Sequence, residues 1–211
     1  MSANSPGNIC NFIPNRYYKS DAEYLDAISS VMRREYEAVT QAGFVLQLDC
    51  PDLTVRSFYF PDATDAELRK IVARNVEVLN TATRSTPTEL VRVHVCWGRN
   101  ELARVKDLPL SYLVDILLKC RAQGLTIVSA NGRHEYEWKV WKDHKLPDGK
   151  VLIPGVIDNT TATIEHPETV ADRITRYASV VGRENLIGGV NCGFGNQPTG
   201  SKDVVPTVTW A

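Results

Sequence analysis

Within "RVHVCWGRN", His94 and Cys96 stand two residues apart in a run that otherwise reads as a buried strand. Residues two apart in a strand point to the same side, so an imidazole nitrogen and a sulfur face one direction together. Both are ligands for zinc, whose catalytic sites commonly use three protein donors and keep one position open. Cys192 in "NCGFG" is the candidate third donor, because its flanking glycines let the backbone come close to something bound. The three form a set if their strands are neighbours. The bland alternative is packing, since a free cysteine behaves as a small hydrophobe. That alternative suits Cys120, on a helix beside Leu117 and Leu118, and Cys50, which would face away from Asp49.

The surrounding elements must bring these residues together. "SDAE" at Ser20–Glu23 and "TDAE" at Thr64–Glu67 are capping boxes that open two helices, the first stopped by Gly43. Between and after them come the apolar runs "FVLQLD", "LVRVHVCWG", "LTIVSAN", "KVLIPGVID" and "NLIGGVNCGFG". A helix is expected from Pro109 to Gly124, a short one over "RHEYEWKVWKD", and another over "HPETVADRITRYASVVG". Five buried strands alternating with helices predict a parallel α/β sheet, either doubly wound or a barrel. No GxGxxG follows the first strand, so a dinucleotide fold has no support. Asp49, His94 with Cys96, Asn131 with Arg133, Asp158 and Cys192 all fall at or just past the strand C-termini, the edge on which such folds build sites.

Composition narrows the classes. The chain has 211 residues and 43% hydrophobic residues, an ordinary globular composition, and its formal net charge of −1 gives no electrostatic argument for nucleic acid or an anionic membrane, so neither is expected as a partner. There is no apolar run long enough to span a membrane and no signal-peptide pattern. Five scattered cysteines fit reduced thiols in the cytoplasm better than a disulfide framework. Residues 1–16, with Cys10, read as a flexible leader.

The ordered motifs "LQLD", "HVCWG", "NGRHEYEW", "LPDGKVLIPGVID", "HPETVADRI" and "NCGFG" resemble the C-terminal catalytic domain of cobalamin-independent methionine synthases, and more closely the short methionine-synthase-like proteins that carry this domain alone. The resemblance covers residues 17–211. It implies a (β/α)8 TIM-type barrel, here only the last five strand–helix units, with Zn²⁺ at its C-terminal face. It also implies transfer of a methyl group from 5-methyltetrahydrofolate polyglutamate to the thiol of homocysteine, giving methionine. By the same resemblance His94, Cys96 and Cys192 would ligate the metal and Asp49 would hold the substrate amino group. No residue is assigned as a catalytic acid or base.

Three positions depart from the family pattern. Val128 stands where a zinc-site glutamate is expected, Thr160 where a proton-transferring histidine is expected, and Asn191 where an aspartate precedes the late cysteine. Glu135 and Glu137 are candidates to replace the missing carboxylate, with a solvated helix face as the alternative. A zinc-thiol alkyltransferase or lyase using another thiol, such as coenzyme M, therefore stays open. So does a non-catalytic remnant. Five strands leave two open edges, so the chain is expected to be a fragment or to self-associate through them.

Overall fold

The computed structural model describes residues 1–54, 60–98, 107–161 and 163–193. Its centre is a wholly parallel sheet of β1 (Ser2–Asn4), β2 (Leu46–Asp49), β3 (Val91–Val95), β4 (Gly124–Ile127), β5 (Val151–Ile157) and β6 (Gly189–Val190), paired in chain order. The sheet is open, with β1 and β6 at its edges among the described residues. Helices α1 (Pro6–Phe12), α2 (Asp21–Gln41), α3 (Asp65–Ala82), α4 (Val114–Leu117) and α5 (Pro167–Val181) fill the crossovers.

The register explains the layering. Ala3, Leu48, Val93, Leu125 and Leu152 are successive partners across five strands. The last four are buried together with Tyr36 of α2, Leu68 and Val72 of α3, Val114 and Leu117 of α4, and Tyr177 of α5. One cluster thus receives residues from four helices, so these helices cover one face of the sheet. Each fully buried Leu or Val in it contributes about 1.5–3 kcal/mol. One residue further along each strand, the opposite face carries the row Asn4–Asp49–His94–Thr126–Ile153. Helices on one face and polar residues on the other match a barrel wall rather than a doubly wound sheet.

Both long helices start as the sequence dictates. Ser20 accepts from the Glu23 N–H at 3.2 Å, and the Thr64–Glu67 box is complete in both directions. On α3, Leu68, Val72, Val76 and Leu79 fall on one buried stripe, the helical period of an amphipathic face. Gly43 ends the first helical unit with φ +82°, a left-handed conformation that suits glycine.

Three expectations need correction. Residues 1–16 are not a loose leader: Ser2–Asn4 pair with β2, Ser5 caps α1, and the Tyr36 hydroxyl donates to the Asn4 carbonyl. Among the described residues the strands accordingly number six, not five. The helix expected from Pro109 to Gly124 is a 3-10 turn (Leu110–Tyr112) followed by the short α4, and Gly124 opens β4 instead. A Cβ at Gly124 would lie 2.8 Å from Cγ of Arg92, so the glycine there serves strand packing rather than a helix stop. The chain from residue 194, with the end of "NCGFG" and the "TVTWA" terminus, lies outside the described residues.

Candidate metal centre

His94 comes from the end of β3, with its carbonyl tied to the Cys50 N–H at 2.9 Å. Two residues on, Cys96 is fixed by Thr54, whose hydroxyl donates to the Cys96 carbonyl, and by the Gly98 N–H, which reaches its Sγ at 3.3 Å. Cys192 follows β6. Asn159 grips its backbone from both sides: the Cys192 N–H donates to Asn159 Oδ1 at 3.1 Å and Asn159 Nδ2 donates to the Cys192 carbonyl. One ligand atom each from His94, Cys96 and Cys192 lies within 4.8 Å of the others, and among the described residues no carboxylate joins this group.

Asn191 supports the same corner. It is fully buried, its Oδ1 accepts from the Ser129 and Ala130 N–H groups at 2.9 and 2.8 Å, and its Nδ2 donates to Asp158 Oδ1 at 3.1 Å. It thereby locks the end of β4, the end of β5 and the Cys192 turn into one unit. Gly155 makes this possible, because a Cβ there would fall 2.3 Å from Asn191 Oδ1 and 2.8 Å from its backbone. Sequence reading noted Asn191 only as a departure and did not find Asn159. Consecutive polar residues after a strand look like any turn.

The donor chemistry fits a soft divalent metal. His94 is 5% exposed, yet neither of its ring nitrogens has a hydrogen-bond partner. A buried polar atom left unmatched costs about 1–3 kcal/mol, a cost that a metal bound to the imidazole would offset. The two sulfurs behave as a pair. The Cys96 thiol, then the nearby His94, pull the Cys192 thiol down to about 4 in spite of burial, while Cys96 is pushed up. The direction favours ionisation of Cys192, and the thiolate is the form that binds metal. Tetrahedral zinc with ordinary bond lengths of about 2.0–2.3 Å sets its ligand atoms about 3.3–3.8 Å apart, so the group needs to close by roughly an ångström.

The other sequence candidates are distributed as follows. Asp49 is the strand partner of His94, and its Oδ1 lies 4.0 Å from His94 Nε2; burial raises its carboxyl above the ordinary value. Val128 is buried in the apolar core. Thr160 donates through both its N–H and its hydroxyl to Asp158 Oδ1, at 3.0 and 2.6 Å. Neither glutamate replaces the missing carboxylate. Glu135 pairs with Arg173 and Arg176 at 3.3 and 3.4 Å. Glu137 is 2% exposed rather than solvated: its Oε1 accepts from the Leu110 N–H at 2.7 Å and its Oε2 meets His134 Nδ1 at 2.9 Å. The His134 ring in turn packs on Trp97, with centroids 4.6 Å apart. This buried His134–Glu137 pair was not anticipated, because "EYEWKVWK" reads as a surface helix.

All five cysteines are free. Cys50 and Cys120 are buried, as packing residues should be, and Cys10 lies in α1 rather than in a mobile segment. No helix among the described residues is long and apolar enough to cross a membrane.

No family model matches the sequence, and no curated protein does. A solved structure does match in shape: a B12-independent methionine synthase from Shewanella sp. W3-18-1, in complex with selenomethionine. It is similar over 91% of this chain with a TM-score of 0.71 and 20% identity. The match covers 54% of that protein, so this chain spans about half the length of the structure it resembles. At such identity the likeness concerns the fold alone, and it agrees with the open parallel sheet, a partial (β/α) barrel.

Proposed function

We propose that this chain carries the thiol-activating site of a zinc-dependent methyltransferase that moves a methyl group from 5-methyltetrahydrofolate polyglutamate to homocysteine, giving methionine. The carrying observation is the convergence of His94, Cys96 and Cys192, with both imidazole nitrogens of His94 unpartnered in a buried setting. The likeness to a methionine synthase solved with selenomethionine supports the reaction class and a small amino-acid ligand.

Zinc held by His94, Cys96 and Cys192 would keep a substrate thiol ionised near neutral pH, where a free thiol with a pKa of about 8.5 is mostly protonated. The remaining tasks fall to this chain's own residues. Asp49, beside His94 on the next strand, accepts hydrogen bonds from the substrate ammonium. Gly98 donates its N–H to the Cys96 sulfur and steadies negative charge there. Asn159 and Asn191 keep Cys192 in place, at a half-buried position that leaves one side of the group approachable.

The core position of Val128 favours a second reading, in which the metal binds without methyl transfer or another thiol is used. The test is incubation of the zinc-loaded protein with the methylated folate and either homocysteine or coenzyme M, followed by mass analysis of the thiol. Methionine produced by the wild type and not by Cys96→Ala supports the first reading. A zinc-loaded protein that methylates neither thiol defeats it.

A further inference from the structure

Cys96 and Cys192 meet from unequal footings. Cys96 follows β3, inside the sheet, and is buried, with its carbonyl bonded by Thr54. Cys192 is half-buried and follows β6, a two-residue strand at the sheet edge that pairs with β5. Asn159 bonds its backbone, and the next residue is Gly193, where a Cβ would meet nothing. Short edge elements with few pairings open at the lowest cost. Of the two cysteines, Cys192 is therefore the one whose backbone can approach its partner.

Neither sulfur belongs to a disulfide, and the two lie within 4.8 Å of each other. A disulfide brings its sulfurs to about 2.05 Å. Rotation about the two Cα–Cβ bonds swings both sulfurs while the backbone bonds from Thr54 and Asn159 stay in place. The edge position of β6 supplies the rest of the approach. Cys10, Cys50 and Cys120 are also free, but none of them joins this group.

We propose that Cys96 and Cys192 form a redox-sensitive dithiol, a modification site that hydrogen peroxide closes into a disulfide. Cys192, the more exposed of the pair, takes one oxygen from peroxide and becomes a sulfenic acid as a water leaves. The Cys96 sulfur then attacks it: the S–S bond forms, the S–O bond breaks and a second water departs. In sum the two thiols lose two protons and two electrons, and peroxide is reduced to two waters. A disulfide sulfur is no longer a thiolate ligand, so closure leaves His94 alone of the three donors and shuts the site. That consequence rests on the zinc reading, whereas the bond itself does not.

The test exposes the full chain, freed of metal by a chelator, to hydrogen peroxide, then counts thiols after denaturation and maps the peptides. The count falls from all five cysteines to three, two having joined, and the digest holds the Cys96 peptide linked to the Cys192 peptide. Dithiothreitol restores the count. Zinc uptake by the same samples is lost on oxidation and returns on reduction. A count that stays at five overturns the proposal, as does a bridge to Cys10, Cys50 or Cys120 instead. Oxidation of Cys192 to a sulfinic acid without a bridge, or an oxidised chain that still takes up zinc, overturns it equally. Failure of the zinc reading looks different: the reduced chain takes up no zinc, whatever its thiols do.

Discussion

Just past β2, the buried carboxylate of Asp52 is matched by a neighbouring hydroxyl; one strand over, the buried imidazole of His94 has no such match. Ser5 donates to the Asp52 carboxylate, the Asn8 N–H donates to Ser5 Oγ at 3.1 Å, and Asn75 Nδ2 donates to the Asp52 carbonyl at 3.3 Å. That cluster stitches the N-terminal strand and helix to α3. His94 is as deeply buried, and one of its ring nitrogens lies within 4.8 Å of the Cys96 and Cys192 sulfurs. Matched polar groups hold a fold together, whereas an unmatched one that faces further metal donors calls for an explanation that a bound ion supplies. The frame of the open group is well matched: Thr54, Asn159 and Asn191 bond the backbone that carries its cysteines and the strands beside them.

The contrast can be broken from either side. Asn191→Ala strikes the frame of the metal group and has the largest expected effect. It removes the acceptor for two buried N–H groups at about 1–3 kcal/mol each, so urea unfolding should report a loss of about 2–6 kcal/mol, with weaker zinc retention. Full zinc retention would show that Cys192 does not depend on Asn191.

The Asp52 cluster should answer to pH instead. Burial, opposed by the Ser5 hydrogen bond, pushes the Asp52 carboxyl from 3.8 up to about 6, so the folded chain keeps a proton that the unfolded chain releases. Its contribution to stability is complete below the unfolded value and fades as pH rises through about 6. The difference is worth about 3 kcal/mol. The unfolding free energy from urea titrations between pH 4 and 7 should fall by about 2–2.5 kcal/mol from this group in the wild type and stay flatter in Asp52→Asn. An identical slope in both proteins would remove Asp52 as its source.

Gly155→Ala sharpens the account of the frame, because the new methyl collides with Asn191; a loss of about 1–3 kcal/mol in thermal unfolding is expected. A neutral result would mean that β5 and the Asn191 turn can separate freely. Smallest is Asp115→Asn, which removes the exposed Arg69–Asp115 pair. It should cost under about 1 kcal/mol and leave zinc content unchanged.

Much of the site edge was legible because strand geometry is periodic. His94 and Cys96 announce a shared face by spacing alone, and Asp49 and Cys192 fall at strand ends that any parallel sheet brings together. β1 was not legible: Ser-Ala-Asn carries no hydrophobic alternation, and its strand character comes from pairing with β2. Glu137 was misread because a charged residue between aromatics looks solvated until a partner such as His134 is known. Asn159 does its work through backbone hydrogen bonds 33 residues away, which leave no local pattern.

The central claim is that His94, Cys96 and Cys192 hold one metal ion without the help of a carboxylate. Elemental analysis of purified wild type and Cys96→Ala, with circular dichroism to confirm that both are folded, tests it most directly. The account predicts about one zinc per wild-type chain and almost none in the variant. A folded wild type without zinc, or a variant that keeps its zinc, would contradict it.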